Sequence, residues 1–205
     1  MIVIIDYGMG NLFSIQSAIC FLGAKAIVTS EPNTISNADR IILPGVGSFF
    51  KAMRNLHTAD LVEVLRETVI SREVPILGIC LGMQLMGKSS TEDGFCEGLR
   101  LIDCPVERFD NSKSDGLKIP HVGFNTVSTM RASKIFKGLD SQVDFYFTHS
   151  FRMKFTDQPY AAGICSHGEQ FIAAFEKGHI CGAQFHPEKS QINGLFLLRN
   201  FIQNF

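Results

Sequence analysis

The apolar residues of this chain are spaced in two different ways. Over the first ninety residues, four short runs rich in β-branched side chains, Ile2–Ile5, Ala26–Val28, Arg40–Leu43 and Pro75–Ile79, are continuous rather than alternating. That is the pattern of strands covered on both faces. Between them, apolar positions recur every three or four residues: Leu12, Ile15, Ile19 and Leu22 in one stretch, and Leu61, Val62, Leu65, Val69 and Ile70 in another. This spacing predicts helices. Strands alternating with helices imply βαβ units and a parallel sheet. Further on, Gly98–Ile102, Gly123–Val127, Asp144–Thr148 and Phe171–Phe175 follow one another closely with turn residues between them. They predict antiparallel additions to the sheet or a small second sheet, and Leu195–Phe201 predicts a closing helix. No repeat, low-complexity run or long linker interrupts the pattern. The reading is an α/β protein: a single domain over residues 1–205, with a mostly parallel central sheet flanked by helices plus antiparallel additions.

Composition narrows the possible functions. The chain has 205 residues, the size of one domain, and 45% of them are hydrophobic, which argues against disorder. Its 19 basic and 20 acidic side chains make no electrostatic case for nucleic acid or an anionic membrane. The apolar opening Met1–Ile5 is broken at once by Asp6, so it reads as a first strand rather than a signal peptide. No apolar stretch approaches the ~20 residues needed to cross a bilayer, and a cytoplasmic location is expected. The six cysteines form no CxxC pair and no Cys/His ligand spacing. They are expected to be free thiols, with neither a metal nor a cofactor.

Three segments carry possible chemistry. In Pro75-Ile-Leu-Gly-Ile-Cys-Leu-Gly-Met-Gln84 an apolar strand runs into Cys80, with glycines two residues before and after it. This follows the G-x-nucleophile-x-G logic of a nucleophile elbow, with Cys80 at a helix N-terminus that favours thiolate. The competing reading is a core cysteine between two packing glycines. In Gly182-Ala-Gln-Phe-His-Pro-Glu188, His186 and Glu188 are two residues apart and can point the same way from a strand end. An imidazole to move a proton and an acid to orient it are what a thiol nucleophile needs; the alternative is a surface turn with an incidental histidine. Finally, Leu43-Pro-Gly-Val-Gly-Ser48 is a glycine-bracketed turn directly after a strand. Its N–H groups suit an oxyanion hole. A phosphate-cradling loop is the rival, though the Lys-Ser/Thr ending of a Walker loop is absent.

Taken together, these segments resemble the class I (triad) glutamine amidotransferases over essentially the whole chain. Further stretches, Ile-Asp-Tyr-Gly-Met-Gly-Asn at 5–11, Lys-Ile-Pro-His-Val-Gly-Phe-Asn at 118–125, Tyr-Phe-Thr-His-Ser at 146–150 and Gln-Phe-His-Pro-Glu-Lys-Ser at 184–190, are similar to the branch of that family that serves imidazole glycerol phosphate synthase in histidine biosynthesis. The resemblance implies that Cys80 attacks the side-chain amide of L-glutamine, that His186 handles the proton and that Glu188 orients His186. It also implies that Gly45, Val46 and Gly47 stabilise the oxyanion, after a peptide flip. Gln84 and Glu92, helped by the backbone around Thr148, His149 and Ser150, would hold the amino-acid end of the substrate.

In the family such a subunit pairs as a heterodimer with a (β/α)8 synthase that receives the ammonia. Asn11, His121, Phe124, Asn125, Tyr146 and Lys189 match positions at that interface. Phe124 stands where the biosynthetic subunits usually carry Trp, and Met86–Gly94 departs from their usual continuation after the elbow. Both differences bear on the partner rather than on the chemistry. They leave a paralogous subunit, supplying ammonia for sugar amidation in surface-polysaccharide synthesis, as the alternative.

Overall fold

A computed structural model describes residues 1–110, 112, 116–130, 133–156 and 158–205. The first part of the chain alternates as its spacing predicts: β1 (Ile2–Ile5), α1 (Leu12–Phe21), β2 (Ala26–Thr29), α2 (Pro32–Ser36), β3 (Arg40–Leu43), α3 (Phe49–Thr58), α4 (Leu61–Arg66), β4 (Ile76–Ile79) and α5 (Leu81–Leu85). The second predicted helix is regular only as far as Arg66 and then widens into a π-helical turn, Glu67–Ser71. Short strands follow: β5 (Ser89–Ser90), β6 (Cys96–Glu97), β7 (Val106–Arg108), β8 (His121–Thr129), β9 (Gln142–His149), β10 (Phe151–Met153), β11 (Ala161–His167), β12 (Glu169–Lys177) and β13 (Ile180–Ala183). The last helix is α6 (Gln191–Asn204).

The main sheet has the order β2-β1-β3-β4-β13-β12-β11-β8-β9. Its first five strands are mutually parallel, and the remaining four extend it antiparallel. A second sheet, β10-β7-β5-β6, stands beside it. Both outcomes left open for the later strands are therefore present. Three of the four continuous apolar runs have the expected cause, the exception being Ala26–Val28, whose strand β2 lies at the sheet edge with Ile27 exposed. In β1, Ile2 and Ile4 pack on one face with Ile15 and Ile19 of α1 and Leu197 and Phe201 of α6. Val3 and Ile5 pack on the other with Phe49, Met53 and Leu56 of α3 and Leu61 and Leu65 of α4. Alternate residues of one strand thus serve two helical layers. Among the described residues no helix is long and apolar enough to cross a membrane.

One expectation fails. Gly98–Ile102 is not a strand; the two-residue strand β6 ends just before it. Its N–H groups turn instead to the segment after the elbow: Gly98 to the Lys88 carbonyl, Leu99 to that of Leu85, Arg100 to that of Gly87, and Leu101 and Ile102 to that of Met86. The apolar residues of this stretch are buried because it wraps the end of α5, not because it lies in a sheet.

The glycines around Cys80 are required by close approach. A Cβ on Gly78 would lie 2.4 Å from the Met86 sulfur, and one on Gly82 would lie 1.8 Å from the Leu43 carbonyl oxygen. Alanine at 82 must therefore push α5 away from the end of β3. The expected cost is about 1–3 kcal/mol, read as a Tm lowered by about 2–12 °C in thermal unfolding. A shift below about 1 °C would mean that the contact relaxes freely.

Candidate active site

Cys80 ends β4 and starts α5 with φ +52° and ψ −110°, a positive-φ conformation that a non-glycine residue adopts only where its surroundings hold it. The hold comes from the neighbouring strand: the Cys80 N–H donates to the Ala183 carbonyl (2.7 Å), while the Cys80 carbonyl accepts from the Gln84 N–H (3.2 Å). All six cysteines are free. Burial pushes the Cys104 thiol up to about 11, that of Cys165 up to about 12 and that of Cys181 well above its ordinary value. These three are protonated core residues; of the other three, Cys20 is exposed, Cys96 is half-buried, and only Cys80 stands at the strand–helix elbow.

His186 reaches Cys80 because β13 pairs in parallel with β4, in register from Ile180 opposite Ile76 to Ala183 opposite Ile79. The two chain segments leave the sheet side by side. The His186 N–H donates to the Tyr146 carbonyl (2.9 Å), and Ser190 Oγ donates to the His186 carbonyl (2.6 Å) while accepting from the Tyr146 N–H (2.9 Å). Nδ1 of His186 lies 2.8 Å from Oε1 of Glu188, whose side chain is fully buried. Gly194 lets α6 close on this turn, since a Cβ there would lie 1.8 Å from the Pro187 carbonyl oxygen. Burial opposes a charge on His186, but an anionic Cys80 sulfur and the Glu188 carboxylate beside it outweigh burial and hold its pKa up to about 10. Its Nε2 is buried with no hydrogen-bond partner among the described residues. An imidazolium next to the thiol, oriented by a carboxylate, is suited to protonating a leaving amine.

A cavity of about 180 Å³ opens over Cys80. Val46 and Gly47 form one wall, Gln84 and Glu92 another, and Thr148, His149, Ser150 and Phe151 a third. The five residues expected to hold the substrate, Gln84, Glu92, Thr148, His149 and Ser150, all line it, as do Val46 and Gly47 of the expected oxyanion turn, while Gly45 does not. Gly47 has φ +101°, which favours glycine. Gly45 lies underneath: a Cβ there would come 2.8 Å from the Gly82 nitrogen and 2.6 Å from the Tyr7 hydroxyl. Tyr7 Oη also donates to the Pro44 carbonyl (2.6 Å), pinning the turn. Glu92 accepts from the Phe49 N–H (2.9 Å); burial raises its pKa and that hydrogen bond pulls it back. Gln84 Nε2 donates to the Phe151 carbonyl and to Gln184 Oε1, so contact with a substrate falls to its carbonyl oxygen.

The residues expected to face a partner divide. Phe124 is exposed, packs edge-on to Tyr146 (5.6 Å between ring centroids), and Lys189 lies over the Tyr146 ring (5.7 Å). Asn11 stands at the N-cap of α1 in a half-buried position. His121 is only 4% exposed and Asn125 half-buried, their side chains bonded to each other at 3.1 Å. His121 thus supports the strand from within instead of presenting a free face. Sequence reasoning missed Tyr7, Phe151 and Gln184. Of these only Gln184 left a signal, since it stands two residues before His186 and strand alternation puts i and i+2 on one side.

A cysteine at a strand–helix elbow, with an imidazole from the segment after the adjacent parallel strand beside it, is the arrangement that suits a thiol nucleophile on an α/β sheet. The family described as glutamine amidotransferase class-I matches residues 3–205, and the chain belongs to it. Within it, the chain is similar to the imidazole glycerol phosphate synthase subunit HisH 1 of Campylobacter jejuni (strain RM1221), 44% identical over 203 residues, 99% of this chain and 100% of the relative. It is also 44% identical to subunit HisH of Moorella thermoacetica over 200 residues, 98% of this chain and 93% of the relative. Subunit HisH 2 of Pseudomonas aeruginosa is 40% identical over 203 residues, 99% of each chain. Among solved structures, PurLQS from Thermotoga maritima superposes with a TM-score of 0.75 at 16% identity, covering 99% of this chain and 97% of its own. A glutamine amidotransferase from the same organism gives 0.69 at 15%, covering 99% and 96%. These two likenesses are of fold.

Proposed function

We propose that this chain is the glutaminase subunit of imidazole glycerol phosphate synthase in histidine biosynthesis, hydrolysing L-glutamine and passing the ammonia to a (β/α)8 synthase partner. The observation that carries the reading is the buried His186–Glu188 pair beside Cys80, which itself lines a cavity that Glu92 also lines. Relatives at 40–44% identity, matched over nearly their whole length, bear the name imidazole glycerol phosphate synthase subunit HisH, so ammonia supply for sugar amidation is not favoured. The six free thiols suit the cytoplasm, a reducing compartment.

In this reading Glu92 takes the substrate's ammonium, while Gln84 and the backbone at Thr148–Ser150 hold the rest of its amino-acid end. The Cys80 thiolate attacks the amide carbon, and the carbonyl electrons move onto oxygen, where N–H groups of the Gly45–Gly47 turn meet them. His186 gives its proton to the nitrogen, the C–N bond breaks, and ammonia leaves a thioester on Cys80. Neutral His186 then takes a proton from water; the hydroxide adds to the thioester, the thiolate is expelled, and glutamate departs. Phe124, Tyr146 and Lys189 form the outer strip that meets the partner.

The Pro44–Gly47 turn also supports control. Glycines on both sides of Val46 permit a peptide whose N–H points into the cavity or away from it, and one missing oxyanion donor costs roughly 10²–10³ in turnover. The chain alone is expected to hydrolyse glutamine slower, by about that factor, than the same chain joined by a histidine-pathway synthase partner with its acceptor bound. Steady-state glutamate release from the chain alone, with the partner, and with partner plus acceptor tests this. Full activity in the isolated chain would overturn both the switch and the synthase pairing.

A further inference from the structure

The backbone carbonyl of Phe151 lies at a junction behind the cavity. A main-chain carbonyl can only accept, so both side chains against it must present hydrogen: Gln84 through Nε2 at 2.8 Å and His149 through Nδ1 at 2.8 Å. That constraint propagates inward. With its amide nitrogen turned to Phe151, Gln84 points its second N–H at Gln184, 3.0 Å away. Gln184 must therefore offer Oε1 on that side and Nε2 on the other, and its Nε2 lies 3.8 Å from Cys80 Sγ. Gln184 is fully buried, so no bulk water competes for either end.

The constraint also runs outward. His149 is neutral, burial pushing its pKa down to about 3. With Nδ1 donating, its Nε2 accepts from His121 Nδ1 (3.1 Å). His121, held near 4 chiefly by burial, then accepts at Nε2 from Asn125 Nδ2 (3.1 Å), which also donates to the Ser166 carbonyl (3.0 Å). The Phe151 and Ser166 carbonyls at the two ends of this outward branch agree on one direction for it, and the Phe151 carbonyl alone sets the direction of the inward branch through Gln84 and Gln184. Neither buried ring and neither buried amide can therefore flip without setting two donors or two acceptors against each other.

We infer that Gln184 is the side-chain donor that holds the Cys80 sulfur as thiolate, and that the Phe151 carbonyl, acting through Gln84, keeps its N–H rather than its C=O turned to the sulfur. The inference rests on Cys80 being the nucleophile. A donor to an anionic sulfur is stabilising, whereas a carbonyl there would repel it. The titratable groups beside Cys80 do not replace it. His186 must release its proton during the reaction, and Tyr7, whose pKa is raised first by burial and then by Cys80, spends its hydroxyl on the Pro44 carbonyl.

The test is the pH profile of Cys80 alkylation by iodoacetamide, followed on the Cys80 peptide by mass spectrometry, in wild type, Gln184→Glu and Gln184→Met. Glutaminase kinetics are run in parallel on the complex with the synthase partner. Loss of a hydrogen bond to a charged group predicts a midpoint raised by about one to two pH units and kcat lowered about tenfold to a hundredfold. KM for glutamine should stay within about threefold. Gln184→Met adds no charge, so it decides the matter if the Glu variant does not fold. An unmoved midpoint in a folded Met variant would reduce Gln184 to packing and overturn the inference. Glutamine hydrolysis surviving Cys80→Ala would instead overturn the underlying assignment of the nucleophile.

Discussion

Cys80→Ala is expected to abolish glutamate release, by a factor on the order of 10⁶, as removal of the nucleophile does in other triads, while the complex goes on making product from added ammonium. The first half follows from the elbow: Cys80 is the one cysteine presented at positive φ between a strand and a helix, with His186 beside it. The second half follows from the proposed division of labour, in which the synthase chemistry belongs to the partner. The fold should tolerate the change, since the backbone bonds that hold position 80, to Ala183 and from Gln84, do not involve the side chain. Glutamate release by the variant above a few per cent of wild type would point to another nucleophile. Loss of the ammonium-driven reaction would argue against a separable glutaminase.

The second large effect is at the base. His186→Asn removes the group that donates to the leaving nitrogen and is expected to lower kcat roughly 10²–10⁴-fold. Glu188→Gln should cost at least about tenfold less than that. A Gln oxygen can still accept from Nδ1 and keep the ring oriented, but the carboxylate charge that helps hold the His186 pKa near 10 is gone. The imidazole would then titrate closer to its ordinary range, so the Glu188→Gln variant should lose activity with rising pH earlier than wild type. Steady-state kcat of both variants across pH 6 to about 10 makes the comparison. Equal losses from the two substitutions would contradict the division into proton carrier and orienting acid.

Much of the molecule was legible in the sequence because its causes are local. Ile2–Ile5 and Ile41–Leu43 are apolar at consecutive positions since each strand serves two helical layers. Gly78 and Gly82 announce the elbow since no side chain fits where the helix turns back on the strand. His186 and Glu188 are joined by a bond spanning two residues, and that spacing is visible in the chain itself.

What only the tertiary structure decided depends on pairings across long separations. Gly98–Ile102 looked like a strand because its composition records burial, but burial against the end of α5 and burial in a sheet leave the same apolar trace. Nothing local states that β13 lies beside β4, the pairing that brings His186 and Gln184 to a thiol more than a hundred residues earlier. Nor does any motif mark Phe151, whose part is played by a backbone carbonyl that every residue possesses. His121 matched an interface position by its place in a motif, yet the fold turns its ring inward to His149. Spacing along the chain encodes which residues can share a face or a turn; which faces meet is set by the packing of the whole sheet.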